Sequence, residues 1–390
     1  MTQPPTRLAR DVVLAVAAVV IARLAVNGGV RVVYPFLPEI ARGLGVSLGV
    51  VSALVALRSM VGVGAPLVAR ATEVLGRRTM MLAGVGAVLA GSLVLAGSAG
   101  LVGATVGFVL LGLAKPGFDV PMQGWFGARV PYRRRSRVLG ITELTWALSL
   151  LATVPVSGVL IARYGWQSPF LLVAVLAGIG IVAVWSLMAP DRPAMPERRP
   201  LRWTPQRLRI LGVVLAFSVA AEMLFVVYGA WLEDDLGLSV AAIGLFTIVV
   251  VAAELAGEGG VAAVGDRIGP RRTILAGLAV SAVAYASLGL VGGSLMAAIA
   301  AVVVWFVGFE VTIVAAIPLV SELGADARER LLSMMISMIA AARALGALVA
   351  PALYGWGGIA ASGLVAATLV GLAALLLVGV QEPTETSPAR

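Results

Sequence analysis

From Ser168 to Ala189 the sequence carries no charged residue, and runs of this kind recur along the whole chain. A helix needs about 20 apolar residues to cross the hydrocarbon of a bilayer. No water reaches that layer, so every backbone N–H and C=O must be satisfied inside the segment, which makes such runs helices. The runs predict twelve spans, near 12–36, 46–69, 79–99, 101–126, 137–161, 168–189, 208–231, 240–263, 273–291, 295–320, 331–352 and 358–380. The 390 residues are 60% hydrophobic and only 13% charged, whereas soluble chains carry roughly 25% charged residues. The predicted class is an all-α integral membrane protein with no large soluble domain.

Charge placement orients the spans. With the amino terminus in the cytoplasm, 22 of the 29 basic residues fall on the cytoplasmic side, only Arg42 and Arg163 fall outside, and five lie within helices. That is the asymmetry of cytoplasmic loops in membrane proteins. It accounts for the net charge of +9 without a nucleic-acid partner. The expected location is the cell (inner) membrane, multi-pass, with both termini cytoplasmic. The first apolar run is too long for a cleavable signal peptide and contains Arg23. Prolines among charges at 190–207 read as a cytoplasmic linker between a bundle at 1–189 and a second at 208–390.

Some chemistry is excluded by what is missing. The chain has no Cys and no His, and Lys115 is its one lysine. There is no disulfide, no Cys or His metal site and no Ser-His-Asp or Cys-His centre. The Gly45-Val46-Ser47-Leu48-Gly49 stretch matches a nucleophile elbow, but without a His partner it is a turn. No phosphate-binding loop ending in Lys-Ser/Thr exists, so energy must come from a gradient or from another protein. No enzyme activity, cofactor or metal is expected.

The sequence repeats itself. Glu73-Val74-Leu75-Gly76-Arg77-Arg78-Thr79 has a counterpart in Asp266-Arg267-Ile268-Gly269-Pro270-Arg271-Arg272-Thr273, each between two apolar runs and each followed by Leu-Ala-Gly. Tyr34 and Glu39 match Tyr228 and Glu233; Arg135-Ser136-Arg137 matches Arg328-Glu329-Arg330; Tyr164-Gly165-Trp166 matches Tyr354-Gly355-Trp356. Landmarks in one order signal duplication into two six-helix halves.

Twelve spans as six plus six, with this basic loop after spans 2 and 8, resemble the major facilitator superfamily. Its loop signature, Gly-x-Leu-x-Asp-Arg-x-Gly-Arg-Arg, is met at Asp266, Arg267, Gly269 and Arg271, and at Gly76, Arg77 and Arg78, where Glu73 stands for the Asp and Ala69 for the first Gly. Phrases such as Tyr34-Pro35-Phe36-Leu37-Pro38 are similar to bacterial exporters of sugars and drugs. Of the Gly-Pro-x-x-Gly-Gly pattern of the proton antiporters only Pro155 and Gly158 are kept, and Phe108 stands where they carry an Arg. The resemblance implies two pseudo-symmetric six-helix bundles working by alternating access. It implies spans 1, 4, 7 and 10 around a cavity, span 5 beside span 8, and a gating role for the loop residues Glu73, Gly76, Arg77, Arg78, Asp266, Arg267, Gly269 and Arg271.

Charges inside spans are expensive and usually functional. The first half holds Arg23, Asn27 and Arg31 on one face of span 1, Arg58 on span 2, Lys115 and Asp119 on span 4, and Glu143 on span 5. The second half holds Glu222, Glu254, Glu258, Glu310 and Arg343. The first set is mainly basic and the second mainly acidic, as two facing walls of a cavity would be. At about 1.5 Å per residue, Lys115, Asp119, Glu143 and Glu258 fall in the cytoplasmic half and Glu254 near mid-depth, where Arg23, Arg58, Glu222, Glu310 and Arg343 form a ring. With Asn27 and Arg31 they form the expected substrate-binding set, to which Tyr34, Phe118, Met223, Tyr228 and Trp305 add apolar surface. Glu254 and Glu258 lie one turn apart, and two carboxylates so close in a low dielectric cannot both ionise easily. With Glu143, and with Asp119 and Lys115, which pair with each other at i,i+4, they form the expected proton-coupling set.

The function expected is a secondary transporter exporting small amphipathic organic molecules against proton entry. The alternatives are symport or uniport of an organic anion or zwitterion, and a non-transporting receptor or scaffold on the same fold. The expected partners are lipid, a small-molecule substrate and protons, and the expected state is a monomer.

Overall fold

In the computed structural model, residues 10–130, 138, 141–191, 202–324 and 328–381 are described. The arginines at 133–135 and 137 and most of 190–207 lie outside them. In chain order the helices are α1 (Arg10–Arg31), α2 (Leu37–Leu44), α3 (Leu48–Gly62), α4 (Ala65–Leu75), α5 (Arg77–Gly97), α6 (Leu101–Arg129), α7 (Thr145–Tyr164), α8 (Ser168–Leu187), α9 (Pro205–Asp234), α10 (Val240–Ile268), α11 (Pro270–Ser287), α12 (Leu295–Leu323) and α13 (Arg328–Val378). No strand occurs among the described residues.

Local chemistry sets where these helices start. Ser47 accepts the Val50 N–H at 3.4 Å, Thr204 the Arg207 N–H at 3.3 Å and Ser294 the Ala297 N–H at 3.4 Å, capping α3, α9 and α12. Interruptions refine the predicted spans. The first helix stops at Arg31, turns through Tyr34–Phe36 and resumes as α2, where Pro35 and Pro38 offer no N–H to a continuous ladder. The second is bent by 49° between α3 and α4, with Pro66 in the first turn of α4. α13 covers both final predicted spans, broken at Gly357 and at Gly358, whose φ of 63° suits a residue without a Cβ. Counting the bent pair as one span and α13 as two, the described residues hold the twelve spans expected.

The chain divides into two compact units, Met1–Pro196 with Ser239–Thr247, and Glu197–Leu238 with Ile248–Arg390. In the first, α1 packs on α7 and α8, α5 on α6 and α8, and α3 on α6. In the second, α9 packs on α12 and α13, and α11 on α12 and α13. The α5–α6 pair and its counterpart α11–α12 are both drawn close by small residues. A Cβ on Gly84 would stand 2.8 Å from the Gly117 carbonyl carbon, and a Cβ on Gly308 2.8 Å from the Ser281 nitrogen. Lipid tails are as apolar as the helices, so packing at this range replaces the hydrophobic drive. The second unit adds an aromatic core, in which Phe225 lies 5.7 Å from Trp305, 5.4 Å from Phe306 and 5.1 Å from Phe309.

Candidate functional site

The buried charges of the first unit form one network. α1 presents Arg23, Asn27 and Arg31 at one-turn intervals, and α6 presents Lys115 and Asp119 in the same way. Arg23 Nε faces Asp119 Oδ1 at 3.2 Å, and its NH1 donates to Glu143 Oε1 at 2.9 Å and to the Thr142 carbonyl at 2.6 Å. Lys115 Nζ donates to Asp119 Oδ2 at 2.7 Å and to Asn27 Oδ1 at 3.2 Å. Asp119 is thus shared between two cations, one of which it was expected to meet through its i,i+4 spacing. Pro116 and Pro121 remove two ladder donors of α6 on either side of Asp119.

This network corrects the division by depth. Counting residues put Arg23 at mid-membrane and Asp119 and Glu143 nearer the cytoplasm, yet Arg23 bonds both. A guanidinium on its long stem spans several ångströms of depth, which a count of Cα positions leaves out.

Two further arginines are buried beside aromatic rings. Arg31, 6% exposed, donates to the Trp146 carbonyl at 3.1 Å and lies 4.4 Å from the centre of the Trp146 ring. Lys115 Nζ is 5.0 Å from that ring. Arg58, 4% exposed, donates to the Val30 carbonyl at 3.1 Å and stands 5.2 Å from the Tyr34 ring. Its partners among the described residues are all neutral. Asn27 is fully buried, and with Oδ1 turned to the lysine its Nδ2 has no hydrogen-bond partner among the described residues. Arg58 and the Asn27 amide thus bring buried donors that no carboxylate among their described partners answers. Cation–π contact and carbonyl bonds offset part of the cost of burying this charge.

The second unit is acidic. Glu222, 1% exposed, faces Arg343 Nε at 3.8 Å, and α13 reaches it because Gly346 lacks a Cβ, which would stand 2.8 Å from the Glu222 Cβ. Glu254 and Glu310 are buried, and Glu258 is half-buried. A Cβ on Gly257 would lie 2.7 Å from the Glu310 Cβ, so Glu310 adjoins the Glu254–Glu258 turn. Glu143, expected as the third member of that group, is held by Arg23. Phe118, Met223, Tyr228 and Trp305 are all buried.

The two loops turn alike, through Gly76 at φ 84° and Gly269 at φ 86°. Both send an arginine to helix-terminal carbonyls that have no partner within their own helix. Arg78 donates to the Trp185 carbonyl and lies 4.7 Å from the Trp185 ring, while Arg271 NH2 donates to the Val378 carbonyl at 2.8 Å. In the first loop Asp191 Oδ1 also accepts the Arg77 and Arg78 N–H groups at 3.1 and 3.2 Å, with Oδ2 3.7 Å from Arg77 NH1. A carboxylate on two N-terminal amides is favoured by the helix dipole. Glu73 is half-buried and Arg267 exposed; the Asp266 side chain lies outside those described.

At the opposite end of α9, the Tyr354 hydroxyl donates to Asp234 Oδ2 at 3.3 Å. Beyond the helix, partial burial and then the neighbouring Asp234 raise the Asp235 carboxyl above its ordinary range.

Sequence reasoning missed Trp146, Phe225 and Asp191. Trp146 stands three residues after Glu143, so the face carrying one carries the other. Asp191 offered only its place just beyond an apolar run.

The family model for the Major Facilitator Superfamily matches the chain twice, over residues 19–216 and 210–390. An uncharacterized MFS-type transporter of Bacillus subtilis (strain 168), YwfA, is 23% identical over 360 residues, spanning 89% of this chain and 87% of that one. A second from that organism, YceJ, is 25% identical over 158 residues, spanning 38% and 40%. The crystal structure of the human organic anion transporter MFSD10 (TETRAN) superposes with a TM-score of 0.71 at 16% identity, covering 96% of this chain and 100% of that one. The crystal structure of a peptide transporter POT mutant with alafosfalin gives 0.73 at 17% identity, covering 94% and 93%.

Proposed function

Because the chain belongs to the Major Facilitator Superfamily and is a multi-pass membrane transporter of that type, we propose that it exports small amphipathic organic molecules bearing an anionic group, by alternating access against proton entry. The observation that carries the anionic preference is Arg58, a buried guanidinium whose described partners are a carbonyl and an aromatic ring. Such a charge is expensive in a membrane and is repaid by an arriving anion. Lys115 and Asn27 Nδ2 supply further donors, and the Trp146 ring supplies an apolar face. Arg23, held by two carboxylates, positions Asp119 and does not receive substrate. Two of the solved structures of like fold are those of an organic anion transporter and a peptide transporter.

The proton carrier in this reading is the carboxylate group of Glu254, Glu258 and Glu310. Both termini are cytoplasmic and the membrane is the inner one. The loops Gly76–Arg78 and Gly269–Arg271 act as gating elements. The working state is a monomer.

Proteoliposomes with an imposed proton gradient, challenged with anionic, zwitterionic and cationic organic compounds, test the proposal. Anionic compounds should drive proton flux opposite to their own, and Arg58→Gln should raise their apparent KM about tenfold while sparing cations. Proton flux in the same direction as the anion would replace export by symport. No preference among the three classes would remove the anionic assignment.

A further inference from the structure

The duplication sets a broken helix of the first unit against an unbroken one of the second. Glu73 and Gly76 match Asp266 and Gly269, and counting back from both loops by equal steps matches Val63, Gly64 and Pro66 to Ala256, Gly257 and Gly259. In the first unit α3 and α4 meet here at 49°. The Val63 and Gly64 N–H groups turn back to the Met60 and Val61 carbonyls, both at 3.0 Å, in i→i+3 bonds. Pro66 has no N–H for the Gly62 carbonyl, and its ring crowds that carbonyl, so this bend is permanent. α10 carries Gly259 at the place of Pro66, retains that N–H, and runs unbroken from Val240 to Ile268.

Packing explains only the first of the three closely spaced glycines of α10. A Cβ on Gly257 would stand 2.7 Å from the Glu310 Cβ of α12. A Cβ on Gly259 or Gly260 would meet nothing within 4 Å. Ala in place of a mid-helix Gly favours the helical form about fivefold, so the pair weakens the helix where space does not require it. Beyond the pair, Ala262, Ala263 and Val264 are exposed, and little packing holds this arm straight.

We propose that α10 is a hinge. Gly257, seated on α12, is the pivot, and Gly259 and Gly260 let the arm from Glu258 to Ile268 swing into a bend like that of α3 and α4 and back. One copy of the duplicated helix has its bend fixed by a proline; the other has it reversible. Bending moves Glu258 relative to Glu254 and carries the Gly269 loop with it. That this motion gates transport rests on the function proposed above; the hinge itself does not.

The chain has no Cys, so spin labels on Ile248→Cys and Ile268→Cys, both exposed, report on α10 within the full chain in proteoliposomes. The labelled positions stand about 30 Å apart along a straight helix and about 3 Å closer at a 49° bend. With a proton gradient imposed in either direction, the parent should show both distances. Gly259→Pro should leave the shorter one alone. Gly259→Ala combined with Gly260→Ala should reduce the shorter population about 25-fold and slow anion flux in the assay above, without lowering Tm, because both Cβ atoms have room. A single distance near 30 Å in the parent and in Gly259→Pro overturns the hinge, as does a shorter population that the Ala pair leaves untouched. Parental flux in the Ala pair overturns its part in gating.

Discussion

Replacing Asp119 by Asn probes whether the first unit's charges act as one network. Asp119 touches Arg23 at 3.2 Å and Lys115 at 2.7 Å, with side-chain exposures of 16% for the acid, 3% for the arginine and 32% for the lysine. Removing one partner of a fully buried pair costs about 3–5 kcal/mol, while an exposed pair is worth roughly 0.2–1 kcal/mol. The Arg23 side belongs to the first case, but Glu143 still holds that guanidinium at 2.9 Å. The Lys115 side is nearer the second, and Asn27 remains as an acceptor. The expected loss is about 2–4 kcal/mol for Asp119→Asn, with a similar loss for Arg23→Gln. Once one partner is gone, the second substitution removes an already uncompensated group, so the double variant should fall short of the sum by about 1–3 kcal/mol. Unfolding of the detergent-purified protein, followed by Tm and by denaturant, measures all four species. Additivity within about 0.5 kcal/mol would refute the network, because residues that share a partner cannot be independent.

Three further outcomes follow. Among Glu254→Gln, Glu258→Gln and Glu310→Gln, at least one should lose gradient-driven flux while keeping substrate exchange; normal proton-driven transport in all three would move the carrier to Asp119 or Glu222. Gly308→Val should prevent stable folding, because its Cβ position lies 2.8 Å from the Ser281 nitrogen in a backbone that cannot yield; a variant purified in parent yield and Tm would show that α11 and α12 are less tightly joined. Reporter fusions at Arg390 and within 192–201 should be active only as cytoplasmic reporters, and periplasmic activity from either would invert the topology.

The spans were legible because each is decided locally. Twenty apolar residues in hydrocarbon can only be helical. The breaks were less legible: Pro35, Pro66 and Gly358 were visible, but whether a Pro ends a helix or merely bends it depends on which neighbours can take up its freed carbonyl. The charged positions were legible for the same reason as the spans, since polar residues stand out against an apolar background. Their partners were not. Spacing along one helix found Lys115 with Asp119, but pairing across helices depends on rotation and tilt, and so joined Arg23 to Glu143 and set Arg31 on Trp146. The lopsided charge of the two halves was readable. That each half would satisfy much of its charge internally, as Glu222 does with Arg343, was not.

The repeated loop shows how one duplicated element came to differ. Both copies turn on a glycine and clamp a neighbouring helix end with an arginine, which answers the same shortage of partners for terminal carbonyls. The first copy has an extra tie, since Asp191 accepts two amides, and it needs both to be donors. At the matching place the second copy carries Pro270, which has no N–H and cannot support a carboxylate held in that way. Arg77→Pro should therefore convert the first loop to the second type without disturbing the helix, because Pro is favoured at the first helical position. It removes one amide donor and the Arg77 side chain, leaving Asp191 on Arg78 alone. The loss, with charge-assisted bonds at about 1.5–3 kcal/mol each, is about 2 kcal/mol, which corresponds to roughly thirtyfold faster opening of the start of α5. Hydrogen exchange of the amides just after the turn, at Met80 and Met81, reads that opening directly. Asp191→Ala should speed it at least as much, and adding Arg77→Pro to Asp191→Ala should change it little further. Equal protection in parent and Asp191→Ala would mean that the carboxylate does not hold the loop, and the difference between the two copies would then have no energetic consequence.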